Sequence, residues 1–392
     1  MPTRLEGSQE GPGGRRDGRS LPGFRSETLD RVRAAGNVWD LPGGQVLLPR
    51  AFGFCRGVER ALEMLEEELD AHARHSGRLC LLGQIIHNPW VNDYFRHRGV
   101  RILTAEELAN FERFVGSQDC AVIPAFGVPL PIERRLRAIR CRVVDTSCPD
   151  VRRLWRWAER AVKQGCGILI FGRSRHDETV VTKSRLAAAG GRYLVANDLE
   201  QTRRFCNMVT GAEPAGTFTE LFGADATNAD GLEPFSRLAQ VSQTTMLYDE
   251  TMKVRELLRS AYEQRYGRGG GESRLLFEPT VCRATQQRQS AAIELCKAGC
   301  DLVIVVGGFG SSNTRHLFEL ASTYAPALFI EDAAAIRSRE ELRTFDQRRD
   351  EAVVVRDWLP ARRPVRIGIL AGASSPEIVV GRVLERLAGF LS

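Results

Sequence analysis

Three times along the chain a short apolar run of strand character leads to a cysteine. Each time a segment with the 3.6-residue period of an amphipathic helix follows. In the first copy Val46-Leu47-Leu48 leads through Phe52 and Phe54 to Cys55, after which Val58, Ala61, Leu62 and Leu65 fall on one helical face. In the second, Val143-Val144 precedes Cys148, and Val151, Leu154, Trp155, Ala158 and Val162 follow with the same spacing. In the third, Leu275-Leu276-Phe277 precedes Cys282, with Ala291, Ala292 and Leu295 beyond it.

The copies continue in register. Each helix is followed by a second apolar run, Leu79–Leu82, Gly167–Phe171 or Leu302–Val306. Each of these opens into a polar loop: His87-Asn88-Pro89, His176-Asp177-Glu178, and Ser311-Ser312-Asn313-Thr314. A third run then carries a helix-start signal, Thr104 with Glu107, Asp198 with Gln201, and Asp332. A fourth closes each unit with the loops Ala125-Phe126-Gly127, Gln243-Thr244-Thr245 and Ala373-Ser374-Ser375. Strands alternating with helices at this spacing imply parallel sheets, in which ligands collect beyond the carboxyl ends of the strands. The predicted fold is therefore α/β: three pseudo-threefold-related lobes with small parallel sheets around one central site. The expected divisions are a disordered basic arm over 1–44, lobe 1 over 45–147, lobe 2 over 148–274 with an insertion near 211–231, and lobe 3 over 275–392. The glycines of 267–271 read as a flexible link.

Composition narrows the class. An apolar content of 43% over 392 residues supports large cores. No apolar run is long enough to span a bilayer, and the N-terminus has no secretory core, so the expected location is cytoplasmic. A plastid is implied only if the arm is a transit peptide, against which Glu6, Glu10, Asp17, Glu27 and Asp30 argue. The net charge of +6 comes with only four lysines, Lys163, Lys183, Lys253 and Lys297. It reads as an arginine-rich composition rather than a nucleic-acid footprint, and the arginines between 337 and 363 read as a solvated face. Ten cysteines without paired spacing point to reduced thiols.

Three cysteines converging from three lobes suit three irons of a cubane cluster, with the fourth iron open. A structural zinc would ask for a fourth ligand in the same register, and none recurs. The polar loops add His87, His176, Ser311, Ser312, Asn313 and Ser374, all donors suited to phosphate oxygens. Glu178 is placed to deliver a proton and Thr244 to relay one. The remaining cysteines (Cys80, Cys120, Cys141, Cys166, Cys206, Cys296 and Cys300) read as structural thiols. His72, His75, His97 and His316 read as ordinary surface residues, and Trp155 and Trp157 as packing.

The segments Gly53–Ala61, Ile86–Pro89, Asp145–Pro149, His176–Thr179, Gln243–Leu247, Cys282–Thr285 with Arg288-Gln289, Val306–Thr314 and Gly372–Ser374 together resemble the 4-hydroxy-3-methylbut-2-enyl diphosphate reductase (LytB) family. The resemblance runs in order over about residues 45–390. It implies a 4Fe-4S cluster on Cys55, Cys148 and Cys282, with one iron open to an allylic diphosphate substrate. It also implies Glu178 as proton donor and Thr244 as relay, with His87, His176, Ser311, Ser312, Asn313 and Ser374 gripping the diphosphate. Isopentenyl and dimethylallyl diphosphate would be the products. Many bacterial members have a histidine before the glycine of the first fourth-strand loop, where this chain has Phe126. In this it is similar to the plant and cyanobacterial branch, which implies ferredoxin, or else flavodoxin, as electron donor. Two rival classes share part of the pattern. A quinolinate-synthase-like dehydratase does not call for the Glu178 loop and the Ser311–Thr314 set, and a non-catalytic iron-sulfur sensor has no use for the phosphate donors.

Overall fold

A computed structural model describes residues 21–72 and 77–392. Its architecture is three small sheets, one per lobe, with helices on their faces and a separate two-stranded hairpin sheet. In lobe 1 the strand order is Arg101–Ile102, Leu79–Leu81, Cys120–Ile123, Arg142–Asp145, all parallel. Lobe 2 repeats it with Tyr193–Ala196, Gly167–Phe171, Leu238–Ser242 and Leu275–Phe277. Lobe 3 repeats it again with Ala327–Ile330, Leu302–Val306, Val365–Ala371 and Gly44–Leu47, to which Val38–Leu41 adds an antiparallel edge.

The predicted lobe boundaries shift in one systematic way. The strand that leads to each cysteine closes the sheet of the preceding lobe: Arg142–Asp145 that of lobe 1, Leu275–Phe277 that of lobe 2, and Gly44–Leu47 that of lobe 3. Residues 275–277 therefore belong to lobe 2 rather than lobe 3, and 45–47 to lobe 3 rather than lobe 1. The chain crosses between lobes immediately before each cysteine, which is why the cysteines lie at the centre.

The central strands are buried throughout; Gly167–Phe171, Leu238–Ser242 and Leu302–Val306 expose nothing, as expected of parallel strands covered on both faces. The helix-start signals hold at Thr104 and Asp198, whereas Asp332 opens only the 3-10 turn Ala333–Ala335. Thr104 and Glu107 form a reciprocal capping box, and Asp198 caps its helix by accepting from the Gln201 N–H.

Three expectations are corrected. The arm is not disordered over 21–44: Glu27–Ala34 is a helix capped by Ser26 and packed on the C-terminal helix Glu377–Leu391. Ser26 lies so close that a Cβ on Gly381 would meet its Oγ at 1.9 Å. Phe24 inserts among Phe54, Trp90 and Tyr94 at centroid distances of 5.5, 5.7 and 4.7 Å, which ties this segment to lobe 1. Residues 1–20 of the arm lie outside the described residues. The 267–271 segment is not a loose link either. After Gly267 it forms the short helix Arg268–Glu272, and a Cβ on Gly271 would come within 2.6 Å of the Glu263 nitrogen. His316, expected at the surface, is buried, with Nδ1 bonded to the Thr245 carbonyl at 2.7 Å. It falls on the same buried face of its helix as Ser312 and Asn313, which line the centre.

The insertion near 211–231 holds the helix Phe218–Ala226, whose Phe218 and Phe222 pack with Phe205 and Phe235. A hairpin, Glu341–Asp346 with Glu351–Arg356, was not anticipated. Its alternation buries Leu342 and Thr344 and leaves Arg343 in solvent, in keeping with the solvated-face reading of that arginine-rich stretch.

Candidate functional site

Each cysteine is pinned by the same backbone bond. The N–H of Cys55 donates to the Ala373 carbonyl at 3.2 Å, that of Cys148 to Ala125 at 2.7 Å, and that of Cys282 to Thr244 at 3.0 Å. In each case the acceptor lies in the fourth-strand loop of the preceding lobe, so lobe contact and cysteine placement are one feature. Each cysteine also stands at the start of a helix, Arg56–His72, Pro149–Lys163 or Arg283–Lys297. There the positive end of the helix dipole favours a thiolate. Burial works the other way, pushing the Cys148 thiol up to about 12 and the Cys282 thiol upward as well, although the Thr285 hydroxyl and N–H partly offset it at Cys282. Thiols so placed become thiolates when a metal takes the proton's place.

All eleven residues singled out in the sequence line one cavity: Cys55, Cys148, Cys282, His87, His176, Glu178, Thr244, Ser311, Ser312, Asn313 and Ser374. The backbone beneath the sulfurs is cut away for them. A Cβ on Gly57 would lie 2.7 Å from the Cys148 sulfur and 3.8 Å from the Cys55 sulfur, so only glycine leaves that space clear.

Glu178 is 3% exposed. Thr244 holds both of its oxygens, the backbone N–H donating to Oε1 and the hydroxyl meeting Oε2, each at 2.7 Å. Burial pushes the carboxyl up to about 7, against the downward pull of those two bonds. Because a backbone N–H can only donate, Oε1 is an acceptor, so in the acid form the proton falls to Oε2, facing the Thr244 hydroxyl.

The imidazoles are oriented as well. His176 Nδ1 accepts from the Glu178 N–H at 3.3 Å, which leaves the proton on Nε2. That nitrogen is buried without a protein partner. Burial and the neighbouring His87 lower the His176 pKa to about 3, so the ring is neutral and presents one orphaned donor. His87 stacks on Phe126, with centroids 4.6 Å apart and planes 1° from parallel, and donates from Nε2 to Asp177 at 2.8 Å.

Hydroxyls and an amide complete the ring. Ser312 Oγ is met by Gln243 Nε2 at 3.1 Å and Thr245 Oγ1 at 3.0 Å, and Ser374 reaches Ser311 at 3.1 Å. Asn313 Oδ1 accepts from the Ala373 N–H at 2.9 Å, which fixes the amide so that Nδ2 is its donor side. Ser311 caps the helix Ser312–Ser322, a helix start of the kind that holds anions.

Sequence reading gave no role to Asp177, Gln243, Thr245 and Thr285, which hold the candidate residues in place, Thr245 and Thr285 from within the cavity lining itself. A signal existed for Gln243 and Thr245, since they share the loop register of Thr244. Nothing in the sequence marked Asp177 as the partner of a residue from another lobe. Phe126, read only as a branch marker, proves to be a wall for His87. Trp155 is packing, as expected, with Arg185 over its ring at 4.1 Å.

A family profile described as LytB protein matches residues 46–388. Among curated relatives, 4-hydroxy-3-methylbut-2-enyl diphosphate reductase of Gloeobacter violaceus is 34% identical over 374 residues, covering 93% of this chain and 87% of its own. The enzyme of the same name from Prochlorococcus marinus (strain MIT 9211) is 33% identical over 369 residues, covering 93% and 89%. Two solved structures share the fold. One, of (E)-4-hydroxy-3-methyl-but-2-enyl diphosphate reductase, has a TM-score of 0.52 at 24% identity, covering 88% of this chain and 99% of its own. The other, E-1-hydroxy-2-methyl-but-2-enyl-4-diphosphate reductase from Plasmodium falciparum, has a TM-score of 0.63 at 19% identity, covering 87% and 86%.

Proposed function

The chain belongs to the LytB protein family, and from that premise we propose that it reduces (E)-4-hydroxy-3-methylbut-2-enyl diphosphate to isopentenyl and dimethylallyl diphosphate, the last step of the non-mevalonate route to isoprenoids. The observation that carries this reading is one cavity holding three thiols, a buried protonatable carboxyl and a set of phosphate donors. A dehydratase or a sensor would leave either the carboxyl or the donors without a task.

The reaction takes up two electrons and two protons and releases water: the allylic C–O bond breaks, one proton leaves with the oxygen and the other ends on carbon. Cys55, Cys148 and Cys282 would hold a 4Fe-4S cluster, which when bound would supply the electrons and a Lewis-acidic iron. The fit is supported by the three helix-start thiols and by the space that Gly57 leaves beside two of them. Among the described residues no three His, Cys, Asp or Glu side chains converge on a single ion.

The chain's own residues protonate the leaving oxygen and hold the substrate, while the proton that ends on carbon comes from solvent. Glu178, protonated on Oε2, passes its proton to Thr244 Oγ1 while the Thr244 hydroxyl proton moves to the departing oxygen, which makes hydroxide leave as water. The orphaned His176 Nε2–H, the Ser311, Ser312 and Ser374 hydroxyls, the Asn313 amide and His87 bind the diphosphate at the start of the Ser312–Ser322 helix. Holding that end fixes the reacting carbon and supplies orientation. Apolar Val58, Ile86, Phe126 and Val151 also line the cavity and keep water from it. Among the described residues no helix is long and apolar enough to cross a membrane. The reading includes a cytoplasmic location and a ferredoxin, or else a flavodoxin, as electron donor.

The substrate assignment is checked by calorimetric titration of the reconstituted protein with the diphosphate and with the corresponding diol lacking it. The diphosphate is expected to bind and the diol to give no heat at the same concentration. Equal affinity for the two would contradict the donor set's role.

A further inference from the structure

Behind the thiols lies a buried cation that neither the proton relay nor the diphosphate site uses. Arg288, on the helix that Cys282 caps, is 7% exposed. A guanidinium removed from water needs compensation, yet its hydrogen bonds all go to neutral carbonyls. Nε and Nη2 donate to Gly53 O at 3.2 and 2.7 Å, Nη2 to Phe54 O at 2.9 Å, and Nη1 to Ala284 O at 3.0 Å. Gly53 and Phe54 are the two residues before Cys55. One cation from lobe 3 thus straddles two of the three candidate ligand positions, tied to the turn that presents Cys55 while riding on the helix of Cys282.

Burial lowers the Arg288 pKa. The cation is nonetheless tied to the turn that presents Cys55 and carried on the helix that Cys282 caps. Thiolates under a cluster would provide the compensating charge.

We propose that Arg288 is the counter-cation of the iron-sulfur centre: a positioning residue that fixes the turn before Cys55 and offsets the negative charge of the cluster and its thiolates, so that the centre accepts an electron more readily. The inference rests on the iron-sulfur reading above. Its physics is general: each electron added to a three-thiolate centre adds negative charge, and a fixed positive charge in a low-dielectric interior favours the more reduced state. An arginine rather than a lysine stands there because its planar fork reaches two consecutive carbonyls while keeping its charge.

The test uses the full-length reconstituted protein as wild type, Arg288→Lys and Arg288→Gln, with the cluster's midpoint potential read by anaerobic redox titration and its content by iron and sulfide analysis. Arg288→Lys, whose ammonium the negative charge of the cluster holds protonated, is expected to titrate nearer wild type than Arg288→Gln does. Arg288→Gln is expected to favour the oxidised cluster tenfold or more at a fixed poise, a shift of about 59 mV or more to negative potential for a one-electron couple. Should Arg288→Gln fail to fold, Arg288→Met reads the same potential, filling the volume with no charge to bury. A neutral variant with full cluster content and an unmoved potential overturns the proposal, leaving Arg288 a strut for the Cys55 turn. In that case a wild type that holds its cluster and turns over leaves the proposed function standing. A wild type that binds no cluster overturns both.

Discussion

Glu178→Gln is expected to lower turnover by about 10²- to 10⁴-fold, the range for losing a positioned proton donor, while cluster content and substrate affinity stay as in wild type. The separation follows from the geometry. A glutamine amide keeps both contacts with Thr244, its oxygen accepting the backbone N–H and its nitrogen donating to the hydroxyl, so the loop keeps its shape. Only the transferable proton is gone. The same carboxyl sets the pH dependence. Burial raises it from 4.5 to about 7, so the acid form is complete below 4.5 and is lost as pH rises through about 7. Wild-type kcat should therefore fall on the alkaline side of that value, and the residual rate of Glu178→Gln should lack that limb. The folded state gains from this protonation at low pH, and the gain too disappears as pH rises through about 7, because between the two values the folded chain binds the proton more tightly than the unfolded one. Unchanged turnover in the glutamine variant would remove Glu178 as proton donor.

Cys148→Ser should abolish both the cluster's visible absorbance and all activity above background, with iron and sulfide per chain falling together. Serine is close in size, and the bond that places residue 148 runs from its backbone N–H to the Ala125 carbonyl, which the substitution leaves in place. The apo variant should thus unfold thermally at the same temperature as apo wild type, which separates a lost ligand from a lost fold. What changes is softness and acidity: a hydroxyl does not give up its proton to iron as a thiol does. A variant with full cluster absorbance would strike Cys148 from the ligand set.

Much of this site was legible because the chain repeats itself. The strand, cysteine, helix and loop order placed the cysteine, His87, His176, Ser311 and Thr244 positions at equivalent strand ends, and every one lines the same cavity. The repeat could not show that the strand before each cysteine pairs with the lobe before it, since apolar periodicity specifies a strand but not its neighbour. The helix Glu27–Ala34 was missed because its apolar face is only Leu29 and Val32, too short a stripe to stand out, and its burial is supplied by a segment at the far end of the chain. His316 was misjudged for a related reason. Beside Arg315 it reads as polar surface, and only the inward turn of its helix against Thr245 buries it. Partners joined across lobes, such as Asp177 with His87 or Arg288 with Gly53, have no local signature at all.

The central claim is tested most directly by anaerobic turnover of (E)-4-hydroxy-3-methylbut-2-enyl diphosphate by the reconstituted wild-type protein with a reduced low-potential dye. Dye oxidation and the five-carbon diphosphates would be measured together. The account predicts two electrons consumed per substrate, with both isopentenyl and dimethylallyl diphosphate formed. A protein that holds its cluster and oxidises no dye in the presence of substrate would contradict it.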